Sequence, residues 1–174
     1  LSGAALPERS WNVNDRCCDP ASDAGVQELP YIEAALAAGL AAGITPTSVI
    51  AVGVSNGGAM AVAAACIFPH LFQGAVSVAG WAPIPCARSP LSLLVAGGTA
   101  DEVIGVDTPA VVAALWRTEV VECLAAPLIE TVGAATVSTW VGCSGGTVVR
   151  HARLDGVTHV WPKFDFYDMD VEII

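Results

Sequence analysis

After residue 47 the chain is punctuated by four short apolar runs, at 48–54, 74–79, 91–96 and 147–154, each closing on a glycine or a turn. These runs are continuously apolar and rich in β-branched residues instead of alternating with polar ones. That pattern predicts strands buried on both faces of a parallel sheet. Between them the period changes. Residues 27–43 are dominated by small and apolar side chains, with Glu28 and Glu33 early, and predict a helix in which Pro30 fits only the first turn. Gly43 supplies its stop, and a turn follows at 45–47. Residues 58–67 predict a small-residue helix, and 108–119 a further one with Thr108 as N-cap and Pro109 at the first helical position. Residues 134–141 pair with 147–154 as a hairpin through 143–146. Residues 1–24 are rich in Pro, Ser, Asn and Asp and predict loop. The resulting β-α-β-α-β order is that of an α/β fold, a mostly parallel sheet with helices on both faces. The 174 residues suffice for one domain with one core.

Composition narrows the class. A hydrophobic fraction of 54% against 14% charged residues excludes a disordered chain. The net charge of −10, with one lysine and scattered arginines, excludes a phosphate-binding surface and therefore nucleic acid. The apolar stretch 34–44 is shorter than the roughly 20 residues needed to cross a bilayer, so no membrane partner is expected. Residues 1–10 do not read as a signal peptide, and with Leu1 in first place the start reads as cut, processed or incomplete. The six cysteines, Cys17, Cys18, Cys66, Cys86, Cys123 and Cys143, show no CxxC pair and no metal-ligand spacing. They predict disulfides and an oxidising, extracellular compartment rather than a metal site. Cys123 is expected to bond Cys143. Adjacent cysteines pair only in a strained ring, so Cys17 and Cys18 are expected to reach Cys66 and Cys86, in either order.

Gly53-Val54-Ser55-Asn56-Gly57 is a G-x-S-x-G pentapeptide where an apolar strand ends and a small-residue helix begins. That context is what a nucleophile elbow requires, because the turn is sharp enough to need small residues two before and two after the serine. The same segment could be a strand-to-helix turn that only packs well. As an elbow, it would present Ser55 above the sheet with the Asn56 N–H as an oxyanion donor. In such folds an acid and then a histidine follow the serine along the chain. His70 precedes a strand and His151 lies within one. His159 follows the last strand, at the end of the sheet where reacting groups collect. Asp101 follows the run 91–96 in the corresponding place, with Glu102, Asp107 and Asp155 as competitors.

These stretches, read together, carry a resemblance. They are Ser10-Trp11-Asn12 with Cys17-Cys18, Gly53 through Met60, Ala65-Cys66, Val78-Ala79-Gly80, Gly98-Thr99-Ala100-Asp101, Trp116 with Cys123, and His159-Val160-Trp161-Pro162. In this order they resemble the secreted esterases that include polyhydroxybutyrate depolymerases and feruloyl or acetylxylan esterases. The resemblance implies a partial α/β-hydrolase fold that hydrolyses carboxylic esters through an acyl-enzyme, without metal or organic cofactor. It implies Ser55 as nucleophile, His159 as base, Asp101 as acid, and a polyester or plant polysaccharide ester as substrate. Trp161 and Trp81 are candidates for the substrate wall or, equally, for core packing. The chain departs from the family at Leu29-Pro30, where acidic residues are usual. It also departs in lacking the family's earlier strands and second oxyanion donor, and in its closing helix, cut short at 170–174. The expectation is therefore a fragment whose elbow strand has an unpaired edge, poorly soluble and nearly inactive alone. Two alternatives share these motifs: a catalytically inactive hydrolase-like binding module, and a serine peptidase of the same fold.

Overall fold

A computed structural model describes residues 9–13, 18, 20–82 and 85–162. Helix α1 (Glu28–Ala41) turns Leu29, Ile32 and Leu36 inward at helical spacing, and leads to strand β1 (Ile50–Val54). Helix α2 (Asn56–Ile67) follows after one residue, then β2 (Gly74–Val78), β3 (Ser92–Gly98) and α3 (Thr108–Leu115). A π-helical turn (Trp116–Val120) continues α3, and strands β4 (Leu128–Val132), β5 (Ala135–Trp140) and β6 (Val149–Leu154) complete the order.

The six strands form one sheet in the order β1-β2-β3-β6-β5-β4. Strands β1, β2, β3 and β6 run parallel, and β4 and β5 are antiparallel. Strand β3 shows why the central runs are continuously apolar. Leu93 and Val95 enter one core with Val62, Val112, Trp116 and Val149, while Leu94 and Ala96 enter the other with Val78, Val137 and Leu154. Helix α2 is buried from Gly58 to Ala65, and its alanines let it lie close on the sheet.

Three expectations are corrected, and one strand is new. Asp107, not Thr108, precedes α3, and the Thr108 hydroxyl donates to the Ile104 carbonyl (2.5 Å) instead of capping the helix. Strand β4 has no counterpart in the sequence pattern, being exposed at every position. Cys66 bonds Cys86, as Cys123 does Cys143, so neither Cys66 nor Cys86 is left for Cys17 or Cys18. The crossover from α2 through β2 brings Cys66 and Cys86 within 5.1 Å at Cα. Cys18 is itself disulfide-bonded, and Cys17 lies outside the described residues. Finally, the crowding at the serine turn involves Gly53 and Gly58, not Gly57. A Cβ on Gly53 would overlap the Gly57 carbonyl, and one on Gly58 would meet Ser77 Oγ at 2.9 Å. A Cβ on Gly57 would meet only Trp11 Nε1, at an ordinary 3.8 Å.

Candidate active site

Ser55 occupies the single residue between β1 and α2, with φ 53° and ψ −123°. A non-glycine residue rarely adopts a positive φ, and the strain persists only where the surroundings dictate it. Here they do: the Ser55 N–H donates to the Val78 carbonyl (2.8 Å), and its own carbonyl accepts from Ala59 N–H (3.0 Å). The Asn56 N–H lies in the first turn of α2, where no intrahelical acceptor exists.

Two loops at the same end of the sheet bring up the other groups. The turn after β3 and the loop after β6 are tied together by Thr99 N–H to Leu154 O (2.9 Å), Gly156 N–H to Thr99 Oγ1 (2.8 Å) and Ala100 N–H to Val157 O (3.0 Å). Gly98 is required at this junction, since a Cβ there would overlap the Val157 carbonyl. The loops deliver Asp101 Oδ2 to 2.9 Å from His159 Nδ1, and His159 Nε2 to 2.7 Å from Ser55 Oγ.

Asp101 is 4% exposed, and its Oδ1 accepts the Val103 (2.9 Å) and Ile104 (3.2 Å) N–H groups. Burial alone would raise its pKa. The bonds from His159, Ile104 and Val103, together with the charge His159 can carry, outweigh burial and hold the carboxyl below its usual value. An ionised Asp101 accepts from His159 Nδ1–H, which leaves Nε2 as the acceptor for the Ser55 hydroxyl.

The competing residues lie elsewhere. Glu102 and Asp107 are exposed, and Asp155 forms a surface pair with Arg153 (3.5 Å). His70 meets Phe68 edge to face. His151 sits in β6 opposite Val95 and Ser138, where burial and then the Arg153 charge lower its pKa. Trp81 packs beside Val13, Ala59 and Met60, and Trp161 beside the core around Leu154. Neither lines the cleft of about 740 Å³ that opens beside Ser55; Trp11 and Tyr31 do. Sequence reasoning missed both, because nothing in the local pattern connects residues 11 and 31 to residue 55. Among the described residues no group of three or more His, Cys, Asp or Glu could hold a metal.

Residues 16–97, slightly less than half of the chain, match a family model described as phospholipase/carboxylesterase. That stretch includes Ser55 and stops short of Asp101 and His159. No curated protein sequence matches the chain. Among solved structures, the acetyl xylan esterase from Aspergillus awamori superposes with a TM-score of 0.66 at 15% identity, over 83% of this chain and 65% of that one. Arabidopsis thaliana SOBER1 gives 0.54 at 16% identity, over 79% of this chain and 57% of that one. Esterase PE8 gives 0.54 at 17%, over 78% of this chain and 54% of that one. The chain thus spans less than two thirds of the length of each of these structures, and with them it shares the α/β-hydrolase fold.

Proposed function

We propose that this chain carries the reacting centre of a serine carboxylic-ester hydrolase. The observation that supports it most is the unbroken run of contacts from Asp101 through His159 to the hydroxyl of a strained, post-strand serine. In this reading Ser55 Oγ attacks the ester carbonyl while its proton passes to His159 Nε2. Asp101 holds the imidazole in the required tautomer and stabilises its cation. The Asn56 N–H takes the developing negative charge on the carbonyl oxygen. The alcohol leaves with the proton from His159, and water, deprotonated by the same nitrogen, releases the acid from the acyl-enzyme. The motif resemblance and the match to a phospholipase/carboxylesterase family model both favour esters over peptides. The acetyl xylan esterase among the structural neighbours supports a polysaccharide ester as substrate. The Cys66–Cys86 and Cys123–Cys143 disulfides fit an extracellular setting.

The test is a panel of p-nitrophenyl esters beside matched anilides and peptides. Ester turnover that disappears in Ser55→Ala is the expected result. Amide cleavage at comparable rates would make the protein a peptidase, and no turnover with undiminished ligand binding would make it an inactive binding module.

A further inference from the structure

The segment around Trp11 belongs to no strand or helix, yet it is fixed at three successive residues. The Asn56 side chain closes a two-bond ring on the Trp11 backbone: Oδ1 accepts Trp11 N–H (2.6 Å) and Nδ2 donates to the Trp11 carbonyl (3.0 Å). The next residue, Asn12, donates its N–H to Glu28 Oε1 (3.0 Å) and its side-chain amide to the Val26 carbonyl (3.0 Å). Val13 is buried against Ala59, Met60 and Ala63 of α2. Glu28 is 7% exposed, and among the described residues its carboxyl group takes one backbone amide, from Asn12, while Oε2 has no partner. Ordering a loop costs backbone entropy, and an unpaired buried acceptor costs more. This much restraint on a short surface segment calls for something the segment must hold in place.

What it holds is the Trp11 indole. Trp11 is half-buried, lines the cleft that also holds Ser55, and places its Nε1 3.8 Å from where a Cβ on Gly57, two residues after the nucleophile, would sit. Much of the rest of the cleft's lining is apolar, including Val54, Met60 and Ile32, with Arg9, Tyr31 and Asn56 as its polar members.

We propose that Trp11 is a specificity-determining residue that packs on an apolar acyl group of the ester, and that Asn56, through its side chain, is the residue that positions it. The proposal rests on the esterase reading above and adds a contact which that chemistry does not require.

Trp11→Ala and Asn56→Ala separate the two roles, because Asn56 grips the backbone of residue 11 and not its ring. Trp11→Ala should keep the grip and lose the wall. The preference for p-nitrophenyl hexanoate over acetate should then fall about tenfold, through KM more than kcat, and Trp11→Phe should restore most of it. Asn56→Ala should leave the ring without its grip. In hydrogen exchange the amide of residue 11 should lose at least about tenfold of its protection while the β2 and β3 amides keep theirs. An equal shift for both esters in Trp11→Ala, or unchanged exchange at residue 11 in Asn56→Ala, would overturn the proposal. If the unaltered protein turns over neither ester, the esterase reading itself has failed. That result is distinct from a uniform shift on a working enzyme, which removes only the role of Trp11.

Discussion

The Asp101 carboxylate is withdrawn from water and then given three hydrogen-bond donors, and the balance sets a pH dependence. Its folded pKa lies below its ordinary value. The stabilisation is therefore fully present above the unfolded carboxylate value, near 4, and is lost as pH falls through the folded value below it. Urea unfolding at a series of pH values should show stability falling below about pH 4, and Asp101→Asn should flatten that acid limb while unfolding more easily at pH 7. The same substitution should lower kcat by roughly 10⁴, by favouring the wrong His159 tautomer. A kcat within about tenfold of native would point to another carboxylate. The glycines give a second contrast. Gly53→Ala forces a methyl group into the Gly57 carbonyl and should cost more than about 3 kcal/mol, whereas Gly57→Ala should stay within about 1 kcal/mol. Thermal unfolding of the two variants measures both. At this scale the sequence reads well for groups whose place follows from a strand end: Ser55, Asp101 and His159 each come just after a parallel strand. It reads poorly for Trp11 and Asn56, which meet across 45 positions with no periodicity to announce the meeting.

Among the elements, legibility follows burial. Strands β2 and β3 are covered on both faces, so apart from Ser77 and Ser92 their positions are apolar or glycine and each run declares itself. Strand β4 is exposed at every position, carries Glu130 at its centre, and has no buried face to impose an alternation. It exists because β5 offers it a hairpin partner, which is a tertiary cause. Helix α3 ends at Leu115 and passes into a π turn because Trp116 is drawn into the core, with its Nε1–H donating to the Leu91 carbonyl (2.8 Å). The Cys123–Cys143 bond ties the end of that turn to the β5–β6 connection, over a separation of 20 residues. Closing a loop of this length is worth about 3 kcal/mol. The Cys123→Ala/Cys143→Ala double variant should lose about that much in urea unfolding, and an unchanged midpoint would mean that packing around Trp140 suffices without the bond.

For the whole molecule the sheet has a consequence at its β1 margin. Strand β1 pairs with β2 on one side only, and among the described residues its other side carries no strand while Val52 and Val54 stay partly exposed. An open apolar edge of this kind invites pairing with another chain. The purified chain should self-associate on a sizing column, and Val52→Lys should raise the monomer fraction; a monomer at all concentrations would show that the edge is covered. Ser55, Asp101 and His159 follow the C-terminal ends of β1, β3 and β6, and the chemistry proposed for them can be read without turnover, by covalent capture. The most direct test of the account is reaction with a fluorophosphonate, followed by mass spectrometry of the intact protein and its peptides. The account predicts one adduct per chain, on Ser55, absent in Ser55→Ala and formed far more slowly in His159→Ala. No adduct on Ser55, or labelling of Ser55 that is indifferent to the loss of His159, would contradict it.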